Sequence, residues 1–119
     1  MPKPVSKTTK RAPKKTSRAA PSLPYEAWLL EQLKDSAEAA AYLEAVFEAG
    51  DQAAIMLALR QVAKAQGGLA LIARKAKLTR EATYKMLSKT GNPELRSLSA
   101  VLKATGLRIA VKPIEKRAA

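Results

Sequence analysis

The chain has 119 residues, which is enough for one domain with an apolar core and too few for two. Its formal net charge of +12 exceeds what folding requires and favours a polyanionic partner. The sequence has no cysteine and no histidine, so disulfides, thiolate chemistry and imidazole ligands are excluded, and we expect neither an enzyme nor a bound cofactor.

Charge is distributed unevenly along the chain, which we divide into four parts, residues 1–24, 25–50, 51–106 and 107–119. Residues 1–20 carry seven basic and no acidic residues, residues 21–51 carry seven acidic residues against Lys34, and residues 52–119 carry fourteen basic against three acidic residues. No stretch approaches the roughly 20 apolar residues of a membrane span. We therefore expect no membrane contact and a location in the cytoplasm, at the nucleoid.

The first part, residues 1–24, holds five of the seven prolines and few large apolar residues. Because such a segment cannot bury enough surface to offset the entropy of ordering it, we predict a disordered basic tail. Two interpretations are open. The tail is either an arm that binds DNA phosphates without sequence preference, or a solubilising leader that contacts nothing.

The second part, residues 25–50, is predicted as two acidic helices, over 25–34 and 36–49. Asp35 has the position of a cap for the second helix, and Gly50 of its terminator. We interpret the pair either as ordinary core packing with a solvated outer face, or as a docking surface for a basic partner. Tyr25, Trp28 and Tyr42 are expected in the core, where they help these helices dock on the domain. The residues of the docking surface would be Trp28, Tyr42, Glu26, Glu31, Glu38, Glu44 and Glu48.

The third part, residues 51–106, is predicted as a helical DNA-binding domain. A helix over 52–66 precedes two short helices within 69–88 that are joined by a tight turn. Asn92 is predicted as the cap and Pro93 as the first residue of a last helix. Leu95 in this helix is expected to face inward.

The helix pair in 69–88 has an apolar side and a polar, cationic side. Thr79 is a good cap for the second helix, and a short capped helix with a cationic outer side is what a recognition helix in the major groove requires. The spacing fits a helix-turn-helix. Arg80 can pair with guanine and Glu81 with a cytosine amino group, although each such residue has the alternative of being a solvated surface charge. The predicted DNA-binding residues are Thr79, Arg80, Glu81, Tyr84, Lys85, Ser88, Lys89, Asn92, Arg74 and Lys75.

The end of the chain, residues 107–119, is predicted as a strand and a short tail. Leu107, Ile109 and Val111 alternate with other residues in the pattern of a strand. Since a single strand is not stable alone and no second strand is visible, it would pair with the same strand of another copy, pack on the domain, or pair with a different protein.

From Asp35 to Pro113 the sequence resembles a known family. The most specific parts are AAYLEA in the second predicted helix and TREATYKMLSKTGNP in the third part. Residues 52–105 resemble the DNA-binding domain of the phage repressor and Cro type. The amino-acid sequence resembles even more closely the addiction-module antidote family, the HigA-like antitoxins of bacteria. The resemblance implies a mostly α protein, a five- to six-helix bundle of the lambda-repressor-like helix-turn-helix type, here with the C-terminal β-strand.

The same resemblance implies function and partners. A HigA-like antitoxin neutralises a RelE/ParE-like (HigB-like) toxin by direct binding, and it represses its own operon by binding double-stranded operator DNA as a homodimer. Two rival interpretations remain. One is an orphan helix-turn-helix regulator without a toxin, and the other is a nucleoid-associated protein that binds DNA without sequence preference.

Four residues, at three places, depart from what the family resemblance implies. Lys77 is in the turn where glycine is common, because the residue there tends towards positive φ, and this would cost about 1 kcal/mol. Thr83 replaces a larger aliphatic residue, which predicts looser packing of the helix pair. Ala70 and Leu71 stand where the family often has Thr-Gln, so one polar anchor for the DNA backbone is missing.

Overall fold

Six helices follow one another along the chain in the computed structural model, which describes residues 23–115. Their bounds are α1 Leu23–Gln32, α2 Ser36–Ala49, α3 Gln52–Ala65, α4 Leu69–Ala76, α5 Arg80–Met86 and α6 Leu95–Ala104. The helical bundle predicted from the sequence is therefore confirmed. The predicted disordered tail over 1–24 lies outside the described residues, except that Leu23 and Pro24 belong to α1.

Helix ends follow the local chemistry of the sequence. The Asp35 carboxylate accepts a hydrogen bond from the Ala37 N–H at 2.9 Å and so caps α2, which ends at Gly50 with φ +82°. At the end of α6, Gly106 has φ +86°, and the next N–H, from Leu107, donates to a carbonyl of the last helical turn at 2.8 Å. These ends are satisfied by neighbours in sequence, which is why the sequence predicts them well.

The core is one apolar cluster with α3 at its centre. Helix α3 packs against α1, α2 and α4, and α4 in turn packs against α5 and α6. None of these six helices is both long and apolar enough to cross a membrane. The largest fully buried side chains are Leu33, Leu59, Ile72, Leu87, Val62, Val101 and Thr83.

The predicted C-terminal β-strand is wrong. Residues 107–115 form no strand, and none occurs anywhere in residues 23–115, so a segment with strand-like alternation has no neighbour with which to share backbone hydrogen bonds. Leu107 packs against the core, whereas Ile109 is 43% and Val111 94% exposed. The alternation of apolar residues at Leu107, Ile109 and Val111 therefore does not correspond to a buried face of a sheet.

The start of the last helix is also corrected. Helix α6 begins at Leu95, with Glu94 as its extended N-cap (φ −69°, ψ 152°), and not at Pro93. The fixed φ of proline suits an extended segment as well as a first helical turn, so the Asn-Pro signal does not by itself place the boundary. The Leu95 side chain, predicted to face inward, is 71% exposed.

Two of the three aromatic residues expected in the core are on the surface. Tyr25 is 47% and Trp28 is 55% exposed, with their ring centroids 5.9 Å apart on α1. Tyr42 is half-buried against the core. Helical spacing shows that residues share a face, but the face that becomes buried depends on which helix packs against it.

Candidate nucleic-acid interface and acidic helices

A three-residue turn joins α4 to α5 and sets the direction of α5. Lys77 has φ +60° and ψ +40°, the left-handed conformation expected for it, and it is the one residue other than glycine with positive φ in residues 23–115. Its neighbour Leu78 donates its N–H to the Ala73 carbonyl at 2.9 Å, and Thr79 caps α5 by accepting from the Ala82 N–H at 2.9 Å. The predicted cap is thereby confirmed.

Helix α5 has one buried side and one exposed side. On the buried side, Thr83 is fully enclosed and its hydroxyl donates to the Thr79 carbonyl at 2.9 Å. This bond satisfies the polar group in the core position where a larger aliphatic residue was expected. On the exposed side, the Arg80 guanidinium lies 5.7 Å from the centroid of the Tyr84 ring, within the range of a cation–π contact.

The exposed side of α5 borders an open concavity. Its lining consists of Thr79, Arg80, Glu81 and Tyr84, and Lys85 is exposed one residue further along the helix. Four of the predicted DNA-binding residues therefore lie around a single surface depression at the start of α5. Another of the ten, Lys85, lies on the same helix nearer its C-terminus.

The loop after α5 contains three further predicted residues, and they differ. Lys89 and Asn92 are exposed. Ser88 is half-buried, and its hydroxyl donates to the Lys85 carbonyl at 2.9 Å, so it caps the C-terminal end of α5. Ser88 is therefore a structural residue in this state of the molecule, whereas the other two are free to meet a ligand.

The cations of this region have no carboxylate partner in the described part of the chain. Arg74 and Lys75 are exposed in the last turn of α4, as are Arg80 and Lys85 on α5. The ion pairs found among residues 23–115 use other lysines, which are Lys34, Lys64 and Lys112. These four basic side chains of α4 and α5 are thus not paired with a carboxylate of residues 23–115.

Sequence reasoning missed the side chains that hold this loop. On α3, the Arg60 guanidinium donates to the Leu87 carbonyl, and the Gln52 amide donates to the Gly91 carbonyl at 2.9 Å. Gly91 is buried, and a Cβ there would lie 2.0 Å from the Met86 carbonyl oxygen. No local pattern could have found these long-range bonds, because each joins residues at least 27 positions apart.

The acidic residues of α1 and α2 are exposed except for Glu26, and some have partners. Glu31 pairs with Lys34 at 3.1 Å, and Glu44 lies 3.9 Å from Lys112 of the C-terminal segment. Glu26, half-buried, lies 3.8 Å from Lys64. The remaining two acidic residues predicted to contact a partner, Glu38 and Glu48, are exposed on α2 and form no ion pair with another residue of 23–115.

Tyr42 has a structural role that the sequence left open. Its hydroxyl donates to the Gln61 amide oxygen, which joins α2 to a buried polar residue of α3. Burial raises the pKa of the Tyr42 hydroxyl above its usual value, and the nearby Tyr25 adds to that increase.

Within the described residues, no three His, Cys, Asp or Glu side chains come together as metal ligands.

The fold and its surfaces define a small helical protein with a cationic helix pair on one part of the surface and acidic helices on another. Comparison with known proteins then places it. The family model described as "Probable addiction module antidote protein" matches residues 26–113, and the chain belongs to that family. Membership places it among the antitoxins of toxin–antitoxin modules and implies a toxin partner.

A relative of this chain carries no assigned function. It is an uncharacterised protein of Haemophilus influenzae (strain ATCC 51907 / DSM 11121 / KW20 / Rd), 35% identical over 82 residues, which cover 69% of this chain and 84% of the relative. No solved structure gave a significant match.

Proposed function

We propose that this antitoxin binds operator DNA through α5 and represses its own operon, in the manner of HigA-like antitoxins with a phage-repressor-type helix-turn-helix. The observation that carries the proposal is the exposed side of α5, where Arg80 and Lys85 have no carboxylate partner in the described residues. The opposite side of α5 is fixed in the core by Thr83. A short helix with one side anchored and one cationic side free has the form needed to enter a major groove.

The contacts follow from side-chain chemistry. Arg80 donates to the acceptor edge of guanine, and Glu81 accepts from a cytosine amino group. Lys85 and Tyr84 contact phosphates or a thymine methyl group. The flanking residues of α4 and of the loop after α5, namely Arg74, Lys75, Lys89 and Asn92, bind the DNA backbone and set the register.

Charge reversal on α5 tests this proposal. The double variant Arg80→Glu, Lys85→Glu is compared with the matched double variant Lys103→Glu, Arg108→Glu, which makes the same change in net charge elsewhere. We expect the α5 variant to lose roughly 100-fold or more in affinity for a duplex from the region upstream of its own gene. The control should lose far less, and circular dichroism should show both variants folded. Equal losses in the two variants would refute binding through α5.

A random-sequence duplex of the same length separates specific from general binding. Repression of one operon requires the upstream duplex to bind at least about 1,000-fold more tightly at physiological salt. Equal affinity for the two duplexes, with a steep salt dependence, would favour the nucleoid-associated alternative that the net charge of +12 allows.

The toxin is proposed to be a basic protein of the RelE/ParE-like (HigB-like) type that docks on α1 and α2. The support is charge complementarity, since residues 21–51 carry seven acidic residues against one lysine, together with the exposed Trp28 ring. Exposed tryptophans are frequent anchors of protein interfaces. Tyr42 contributes through packing, because its hydroxyl is already bonded to Gln61.

Co-purification tests the toxin surface. The product of the neighbouring gene is co-expressed with the chain and with the triple variant Glu38→Lys, Glu44→Lys, Glu48→Lys. We expect the triple variant to lose the complex, while Glu94→Lys, a charge reversal before α6, keeps it. Retention of the complex by the triple variant would refute an acidic docking surface, and a neighbouring gene that encodes no binding protein would favour the orphan-regulator alternative.

A homodimer is proposed because a two-fold pair of α5 helices, roughly 34 Å apart, would match successive turns of a palindromic operator. The C-terminal segment exposes Val111 and Ile114 at 94% and 88%, so apolar area is available for self-association. Light scattering of the double variant Val111→Asp, Ile114→Asp should show a smaller species than the unaltered chain.

The proposal assigns no catalytic role and no cofactor to the protein, and places it in the cytoplasm at the nucleoid.

A further inference from the structure

The loop between α5 and α6 is held by two side chains of α3. The Arg60 guanidinium donates to the Leu87 carbonyl at the end of α5, and the Gln52 amide donates to the Gly91 carbonyl in the loop at 2.9 Å. The carbonyls at the end of a helix lack partners within the helix, and a cation there also complements the helix dipole. Both bonds therefore stabilise backbone groups that α5 and the loop cannot satisfy alone.

The same loop is closed tightly against α5. The Gly91 N–H donates to the Ser88 carbonyl at 2.8 Å. A Cβ on Gly91 would lie 2.0 Å from the Met86 carbonyl oxygen, so only glycine fits at this point. The loop is thus held by contacts to α5 on one side and to α3 on the other.

The two bonds from α3 act at separate points. Gln52 and Arg60 are eight residues apart, which corresponds to about 12 Å along the helix axis. Their acceptors are four residues apart in the chain and lie on either side of the exposed Lys89. Two anchors around an exposed cation fix its position relative to the body of the protein, which a single anchor would not do.

We propose that Gln52 and Arg60 are positioning residues for DNA binding, which hold the α5–α6 loop so that Lys89 and Asn92 meet the phosphate backbone. This inference rests on the proposed function of α5. Neither positioning residue needs to contact DNA. They act by presenting loop residues in an ordered state, so that binding does not have to supply the entropy of ordering the loop.

A double-mutant cycle tests the inference. Binding to the upstream duplex is measured for the unaltered chain, Lys89→Ala, Arg60→Met and the double variant, with Arg60→Lys as the conservative variant and Lys103→Met as the charge-matched control. We expect Arg60→Met to lose about tenfold in affinity, and Lys89→Ala about fivefold in the unaltered background but less than about twofold in the Arg60→Met background. Arg60→Lys should keep most of the affinity, since lysine retains a donor.

The salt dependence of binding gives a second readout that a merely structural role would not change. Losing the contact of one loop cation should lower the slope of log affinity against log salt by about one in both Lys89→Ala and Arg60→Met. Thermal unfolding shows whether each variant is folded. If Arg60→Met does not fold, Gln52→Glu, which removes the donor without changing size, takes its place in the cycle.

The outcomes separate this inference from the proposed function. Additive effects of the Arg60 and Lys89 substitutions, with unchanged affinity per folded molecule in Arg60→Met, would overturn the positioning role while α5 still binds DNA. Failure of the unaltered chain to bind either the upstream or the random duplex would overturn both.

Discussion

Replacing Lys77 with glycine measures how much strain the turn before α5 stores. Lys77 is exposed, and its backbone has φ +60° and ψ +40°. A residue with a Cβ is destabilised by about 1–2 kcal/mol in this conformation, whereas glycine is not. Glycine loses more entropy on folding, by roughly 0.5–1 kcal/mol. The difference leaves the Lys77→Gly variant more stable by about 0.5–1 kcal/mol.

The matched control is Lys77→Ala, which removes the charge and the long side chain but keeps the Cβ. Thermal and urea unfolding should place Lys77→Ala near the unaltered chain, and Lys77→Gly about 2–8 °C higher in Tm, using the usual conversion for a domain of this size. Lys75→Gly, inside α4, should instead lose about 1 kcal/mol. A Lys77→Gly variant no more stable than Lys77→Ala would refute the argument that the Cβ causes the strain.

Three further predictions concern positions where the structure leaves little freedom. Gly91→Ala should destabilise by at least about 2 kcal/mol in urea unfolding, because its Cβ meets a backbone oxygen that cannot move aside; a smaller loss would mean that the loop yields. Thr79→Ala should lose about 1 kcal/mol by removing the cap of α5, and Thr79→Ser should not; equal losses would contradict a role for the hydroxyl. The raised pKa of Tyr42 means that the folded state holds this proton more tightly than the unfolded state, so stability should fall as pH rises through 10.0 and above. Tyr42→Phe should show a smaller fall over the same range, and an identical fall would exclude Tyr42 as its source.

The sequence predicted well the helix ends that are determined by residues next to them in the chain. The caps Asp35 and Thr79 act on N–H groups two or three residues away, and Gly50 ends its helix by its own backbone conformation. For the two caps and the terminator the physical cause lies within one helical turn, so it can be read in the linear sequence. The positive φ of Lys77 was instead expected from the resemblance to a family in which glycine is common at this turn position.

What the sequence predicted wrongly depends on distant parts of the chain. The alternation at Leu107, Ile109 and Val111 is a local signal, but a strand exists only if another segment accepts its hydrogen bonds, and residues 23–115 supply none. Trp28 and Leu29 are adjacent on α1, yet only Leu29 is buried, because the side of α1 that packs into the core carries Leu29 and not Trp28. Neither outcome is encoded in the local pattern.

Of the candidate site, the sequence predicted the part that depends on local spacing and missed the part that depends on distant residues. That α5 presents Arg80 and Lys85 to solvent could be inferred from the spacing of its apolar residues. The bonds from Arg60 and Gln52 could not, since they depend on how α3 lies across the end of α5. The exposed residues of a surface are thus easier to predict than the residues that hold that surface in place.

The position of α3 bears on how the two proposed surfaces relate. The acidic helices α1 and α2 pack on α3, whereas α5 packs on α4, so the proposed toxin surface and the proposed DNA surface are built on different elements. A toxin bound to α1 and α2 would therefore not need to cover Arg80 or Lys85. It would, however, contact the helices that pack on α3, and α3 holds the loop after α5 through Gln52 and Arg60. Any influence of the toxin on DNA binding should accordingly be reduced in the Arg60→Met variant, in which one of those two links is broken.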